Sequence, residues 1–124
     1  KVTLNEKGAL PHNVVITAAE SNPSVLHPAP FHVELAEWFV KIGSDVGDTI
    51  LDPFAGSSTT GVAALKHDRK FIGIDLVEFN INFGRNRIEH LLSTGECYIP
   101  KNMLEEYGID VNYYKVKGKH INNP

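Results

Sequence analysis

The sequence predicts an α/β fold, Rossmann-like in having a parallel sheet with flanking helices, on three observations. Two short apolar runs, Thr49–Leu51 and Lys70–Ile74, are separated by a helix-length stretch containing Val62, Ala63, Ala64 and Leu65, the pattern of a βαβ unit. The first run ends in Asp52-Pro53-Phe54-Ala55-Gly56-Ser57-Ser58-Thr59-Thr60-Gly61, a glycine turn between strand and helix. The second ends in Gly73-Ile74-Asp75, an acidic residue at a strand's carboxyl end. Strands joined by such a crossover run parallel and right-handed. Asp52 and Asp75 are therefore expected at one edge of the sheet, where open α/β sheets hold nucleoside ligands.

Along the chain, Lys1 to Pro11 is polar and reads as an incoming linker. Val14, Val15 and Ile16 form a β-branched run too short to assign as strand or buried connector. Ser21-Asn22-Pro23-Ser24 and His27-Pro28-Ala29-Pro30 make a proline-stiffened loop that cannot be helical. A first helix is expected from about His32 to Ile42. Its apolar stripe is Leu35, Phe39 and Ile42, extended by Trp38, with Glu34, Glu37 and Lys41 facing away. Gly43 ends it, and Gly47-Asp48 turns into the strand. The second helix is expected to start near Ser57 to Thr59, whose hydroxyls suit capping, and to reach about His67. Its small residues Gly61, Ala63 and Ala64 allow close approach to the sheet. Phe71, Ile72 and Ile74 predict a strand buried on both faces. A third helix is expected over about Glu78 to Leu92, with Ile81, Gly84, Ile88 and Leu91 inward and Arg85, Arg87 and Glu89 outward. Lys101 to Tyr107 reads as a short helix and Asn112 to Val116 as an edge strand.

Charge narrows the ligand. A dinucleotide places its pyrophosphate on backbone N–H groups at the helix start, where the carboxylate of Asp52 repels it. Gly56 and Gly61 bracket four residues as in a phosphate loop, but Val62 and Ala63 stand where that loop needs Lys and Ser or Thr. The G-x-G-x-x-G spacing of dinucleotide sites is also missing. A ligand with a ribose for Asp75 and a cationic end for Asp52 fits, and S-adenosylmethionine (AdoMet) has both. Asp75 is expected to accept from the ribose hydroxyls, its alternative role being a helix cap. Phe54, Gly56, Ser57, Ser58 and Thr59 are expected to line the turn, glycine giving close approach and the hydroxyls giving donors.

The segment His27-Pro28-Ala29-Pro30-Phe31-His32-Val33-Glu34-Leu35, the turn from Asp52 to Thr59 and Gly73-Ile74-Asp75 resemble the C-terminal half of the DNA amino-methyltransferases. The order of these motifs resembles the permuted beta group, in which the cofactor motifs follow the catalytic motif and the target-recognition region. The likeness runs from about Pro11 to Leu92. It implies a partial AdoMet-dependent methyltransferase fold and an enzyme that methylates the exocyclic amino group of cytosine (N4) or adenine (N6) in double-stranded DNA, as in restriction–modification. It further implies that His27, Pro28, Phe31 and Leu35 wall the cofactor's amino-acid end. Ser58 stands where many relatives carry a second glycine, a lean toward the cytosine-modifying members.

The same family resembles itself in an Asp/Ser/Asn-Pro-Pro-aromatic segment that holds the flipped base while its amino nitrogen displaces the methyl group in line. None of the seven prolines here is followed by another. No catalytic residue is therefore expected in this chain, which taken alone should bind the donor without transferring its methyl. The first residue is Lys1, and the catalytic and recognition parts are expected upstream or on a partner chain. The domain reading is 1–26 linker, 27–95 AdoMet-binding core and 96–124 C-terminal extension.

Composition agrees. A hydrophobic content of 42% is that of a globular chain, and no apolar run approaches the roughly 20 residues that span a bilayer. The first ten residues alternate polar and apolar, so no secretory leader and a cytoplasmic, prokaryotic or phage-like setting are expected. Net charge −3 is a poor footprint for neutralising DNA phosphates unaided. The one basic cluster, Lys115, Lys117, Lys119 and His120, reads as a solvated edge. Cys97 is single, and no two of the six histidines pair on one helix face, so no metal site is expected. Two other classes stay open: a non-catalytic AdoMet-binding subunit, and a nicotinamide-dependent oxidoreductase domain, which Asp75 permits and Asp52 opposes.

Overall fold

A computed structural model describes residues 31–97 and 99–108. The elements run α1 (Val33–Gly43), β1 (Thr49–Asp52), α2 (Thr59–Lys66), β2 (Lys70–Gly73), α3 (Glu78–Thr94) and α4 (Lys101–Glu106). β1 and β2 pair in parallel, with Thr49 opposite Lys70 and Asp52 opposite Gly73. The expected βαβ unit is thus present, each boundary within about two residues of the sequence reading. The Val14–Ile16 run, the proline-rich loop with His27 and Pro28, the Asn112 to Val116 strand and the Lys115–His120 cluster lie outside the described residues.

Local chemistry sets the ends of these elements. His32 caps α1, its Nδ1 accepting from the Glu34 amide at 3.4 Å. The loop into β1 turns at Gly47, φ 90°, where Asp48 Oδ2 accepts from the Asp45 amide. Arg69 ties this loop to the α2–β2 turn, its guanidinium donating to the Ser44 carbonyl (2.6 Å) and hydroxyl (3.1 Å). At its far end α3 stops at Gly95, φ 77°, whose N–H returns to the Leu91 carbonyl.

Two small cores result. In one, Ala36 and Val40 of α1 meet Ala63 of α2, with Val33 and Ile50 against them. In the other, Phe83 meets Met103 and Leu104, and Tyr107 stands edge-on to both Phe79 and Phe83 at 5.1 Å. Between α2 and β2 the approach is as close as the small residues predict. A Cβ on Gly61 would lie 2.5 Å from Phe71 Cε1.

Two expectations about burial are corrected. The face α1 buries is Ala36, Glu37 and Val40, whereas Phe39 is 58% and Ile42 47% exposed. The helix meets α2 through small residues, and its large side chains look away. Trp38 is half-buried and stacks edge-on to Phe39 at 4.9 Å. Glu37, expected in solvent, is buried because the end of α2 meets its carboxylate, with Lys66 Nζ at 2.6 Å and the C-cap His67 Nε2 at 3.4 Å. Burial by itself pushes the Glu37 carboxyl up, but the hydrogen bonds from Lys66 and His67 outweigh it and hold the group below 4.5.

The second correction concerns β2. Only one face of the sheet is covered among the described residues. Ile50 and Phe71 turn toward the helices, and Leu51, Ile72 and Ile74 are 59%, 53% and 51% exposed on the strands' other side.

Candidate functional site

Apart from Phe31 and Leu35, the site residues that the sequence marked within the described residues follow from how β1 and β2 end. Beyond the last pair of the ladder the Ile74 amide donates to the Asp52 carbonyl (2.9 Å), and the Ala55 amide donates to the Ile74 carbonyl (2.8 Å). Asp52 and Asp75 thus stand at the same rim, as expected. The turn between them closes on protein acceptors: Phe54 N–H on Asp52 Oδ1 (3.0 Å), Gly56 N–H on Asp75 Oδ2 (2.9 Å) and Ser58 N–H on the Ala55 carbonyl (2.7 Å).

Asp75 carries more local structure than the sequence assigned to it. Besides Gly56, its Oδ1 accepts from the Val77 amide at 2.8 Å and the Asn80 side-chain amide at 3.1 Å. The carboxylate therefore also ties the turn to the segment leading into α3, whose N-cap, Val77, has no side-chain cap. Asp75, Gly56 and Ser58 share a cleft of about 320 Å³ between β2 and α3, with Gly73, Arg85 and Glu89 on its walls. Phe54, beside Asp52, is 86% exposed at the rim.

The hydroxyls of the turn behave differently from expectation. Ser58 adopts φ 59°, ψ 35° and makes no side-chain cap to α2. Its buried side chain packs on Gly84 of α3. Thr59 Oγ1 accepts from Arg87 Nη1 at 2.9 Å, and the same nitrogen donates to the Ser57 carbonyl at 3.2 Å. Arg87, expected on the outer side of α3, therefore faces the turn. The signal for it was available: Gly84 and Arg87 are three apart and share a helix face.

Phe31 and Leu35 are not brought to the cleft. They line a separate apolar groove of about 360 Å³ with Phe39, Val40, Ile50 and Thr60. Among the described residues no group of three or more His, Cys, Asp or Glu is placed to hold a metal ion, and no helix is long and apolar enough to cross a membrane.

A parallel β-pair with a glycine turn after one strand and an acidic end on the next defines the class: part of an α/β, AdoMet-dependent methyltransferase fold. Structural comparison agrees. A DNA modification methylase of Thermus thermophilus, solved in complex with S-adenosyl-L-methionine, aligns at TM-score 0.50 and 40% identity over 54% of this chain and 28% of its own. A second crystal structure of the same enzyme gives 0.51 and 42%.

The family model described as DNA methylase matches residues 5–84, and the chain belongs to that family. It is similar to the DNA adenine methyltransferase YhdJ of Escherichia coli K12, 41% identical over 63 residues, 51% of this chain and 21% of the relative. It is also similar to the type II methyltransferase M.PvuII of Proteus hauseri, 26% identical over 92% of this chain and 34% of the relative. The chain thus spans about a fifth to a third of these relatives' lengths.

Proposed function

We propose that this chain is the AdoMet-binding part of a site-specific DNA methyltransferase of restriction–modification type, placed C-terminal to the catalytic and recognition segments in the permuted beta order. The complete enzyme would methylate the exocyclic amino group of cytosine (N4) or adenine (N6) in a prokaryotic or phage-like cytoplasm. One observation carries the ligand. The rim presents two carboxylates, and the amides of Phe54, Ala55, Gly56 and Ser58 are already bonded to protein acceptors. A phosphate needs such amides directed at itself. A cationic nucleoside needs the carboxylates instead, so the residues present fit AdoMet and oppose NAD.

Roles follow for the chain's own residues. Asp75 receives the ribose hydroxyls, a carboxylate having about four acceptor sites, with the Asn80 side chain as the partner able to swing aside. Asp52 faces the cationic methionine end. Phe54 covers the ligand, and Gly56, in a left-handed φ of 50°, lets it approach the backbone. Ser57, Ser58 and Thr59 shape the turn, and His27 and Pro28 are assigned to wall the amino-acid end. When bound, AdoMet supplies a methyl group on a sulfonium, which leaves as a neutral thioether. The base-holding Pro-Pro-aromatic segment, absent from these 124 residues, and the contacts to double-stranded DNA come from the rest of the enzyme or a partner chain. The division is 1–26 linker, 27–95 core and 96–124 extension.

Titration calorimetry with AdoMet, its demethylated product and NAD tests this reading. The expected result is binding of the first two and none of NAD. Asp75→Ala should weaken AdoMet about 10- to 100-fold, the worth of hydrogen bonds to a charged group. The 124-residue chain should transfer no methyl group to DNA. Binding of NAD in preference to AdoMet, or robust transfer by this chain alone, contradicts it.

A further inference from the structure

The glycine turn is usually considered from its ligand side, but in this protein its rear face is built with equal care. Ser58 sits in the left-handed region, which an L-residue enters only at a cost of about 1–2 kcal/mol, and it does so without capping α2. Something else must hold it there. The holding surface is α3. Gly84 approaches so closely that a Cβ in its place would run into Ser58 Oγ and stand 2.9 Å from Ser58 Cβ. One helical turn on, Arg87 Nη1 reaches the Ser57 carbonyl and Thr59 Oγ1 at 3.2 and 2.9 Å, with Ser57 Oγ at 3.4 Å. Gly84 is buried and Arg87 half-buried.

We propose that α3 is a rear brace for the turn, with Arg87 and Gly84 as positioning residues that hold Ser57–Thr59 in the shape that receives the ligand. Two devices act together. The guanidinium fixes the residues on either side of Ser58, and the missing side chain at position 84 makes the room that Ser58 fills. Serine at 58 and glycine at 84 are a size-matched pair: the turn tolerates a side chain at its left-handed position because the helix behind it has none. Gly84 and Arg87 are not among the residues that wall the cleft, which Ser58 does line. Their effect reaches it through Gly56, whose amide is pinned to Asp75 on the opposite side of the same turn. The inference rests on the turn being the AdoMet seat.

The test compares wild type with Arg87→Met, Arg87→Lys, Gly84→Ala, Ser58→Gly and the Ser58→Gly/Gly84→Ala double variant in the complete protein. AdoMet affinity is read by calorimetry, and amide hydrogen exchange is read at residues 55–59 without ligand. Arg87→Met should lower affinity roughly tenfold, the scale of a charged hydrogen bond, and speed exchange in the turn while exchange in β1 and β2 is unchanged. Arg87→Lys should recover part of both. Gly84→Ala should weaken affinity similarly, and adding Ser58→Gly should restore it. Wild-type exchange in the turn of Arg87→Met, or a double variant no better than Gly84→Ala alone, overturns the brace. If wild type itself ignores AdoMet, the functional reading falls, and the exchange data still decide whether α3 braces the turn.

Discussion

Gly61 shows how much one missing Cβ decides. It lies inside α2, where alanine is intrinsically favoured by about 0.8–1 kcal/mol. Its Cβ would nevertheless fall 2.5 and 2.6 Å from ring atoms of Phe71 and 3.0 Å from Ile88 Cδ1. All three neighbours come from the elements on which α2 rests, and overpacking of this kind costs about 1–3 kcal/mol. Gly61→Ala should therefore destabilise the protein by about 1 kcal/mol, read as a lower denaturation midpoint. A midpoint at or above wild type would mean that Phe71 moves aside freely. The small residues of α2 were readable as a close-packing signal in the sequence. Their counterpart was legible only in part: Gly84 and Arg87 share a helix face by spacing, but periodicity does not say that the neighbour this face meets is Ser58 in the turn.

At the scale of the element, α1 is held to α2 by a charge cluster as well as by Ala36, Val40 and Ala63. Glu37 is kept below its unfolded value of 4.5, so its contribution is complete above that pH and disappears as pH falls through the lower folded value. Lys66, raised above 10.5 chiefly by its hydrogen bond to Glu37, contributes below that pH and loses its contribution as pH rises through the higher folded value. Across the neutral range both contributions are present. Glu37→Gln should lower stability by about 1 kcal/mol near pH 7. The loss should shrink toward zero in acid, so the variant's melting temperature depends less on pH below 4.5 than that of wild type. Equal acid sensitivity in both proteins would remove Glu37 from the account. The helix boundaries were legible from the sequence, because Gly43, Gly47 and the spacing of apolar residues are local signals. The buried face of α1 was not, since of the largest apolar stripe the described residues half-bury Leu35 and leave Phe39 and Ile42 exposed.

For the molecule as a whole, the order strand, glycine turn, helix, strand and acid was enough to place Asp52 and Asp75 at one rim, because parallel pairing through a crossover leaves no other arrangement. Less legible was the state of the sheet. Apolar Phe71, Ile72 and Ile74 predict cover on both faces, and the described residues provide it on one, leaving Leu51, Ile72 and Ile74 exposed. The two strands are few for an independent sheet, and their chain matches only part of each relative. The proposed function assigns the base-holding segment and the DNA contacts to sequence outside the 124 residues. The proposed role of this chain is the donor seat, and that seat rests on two carboxylates set either side of a closed turn. Backbone amide chemical shifts followed through an AdoMet titration test it most directly. The signals of Ala55, Gly56 and Ser57 and of Asp75, Leu76 and Val77 should move together with a single affinity. Saturation with AdoMet that leaves these rim amides still, or moves only those of the groove around Phe39 and Val40, would contradict it.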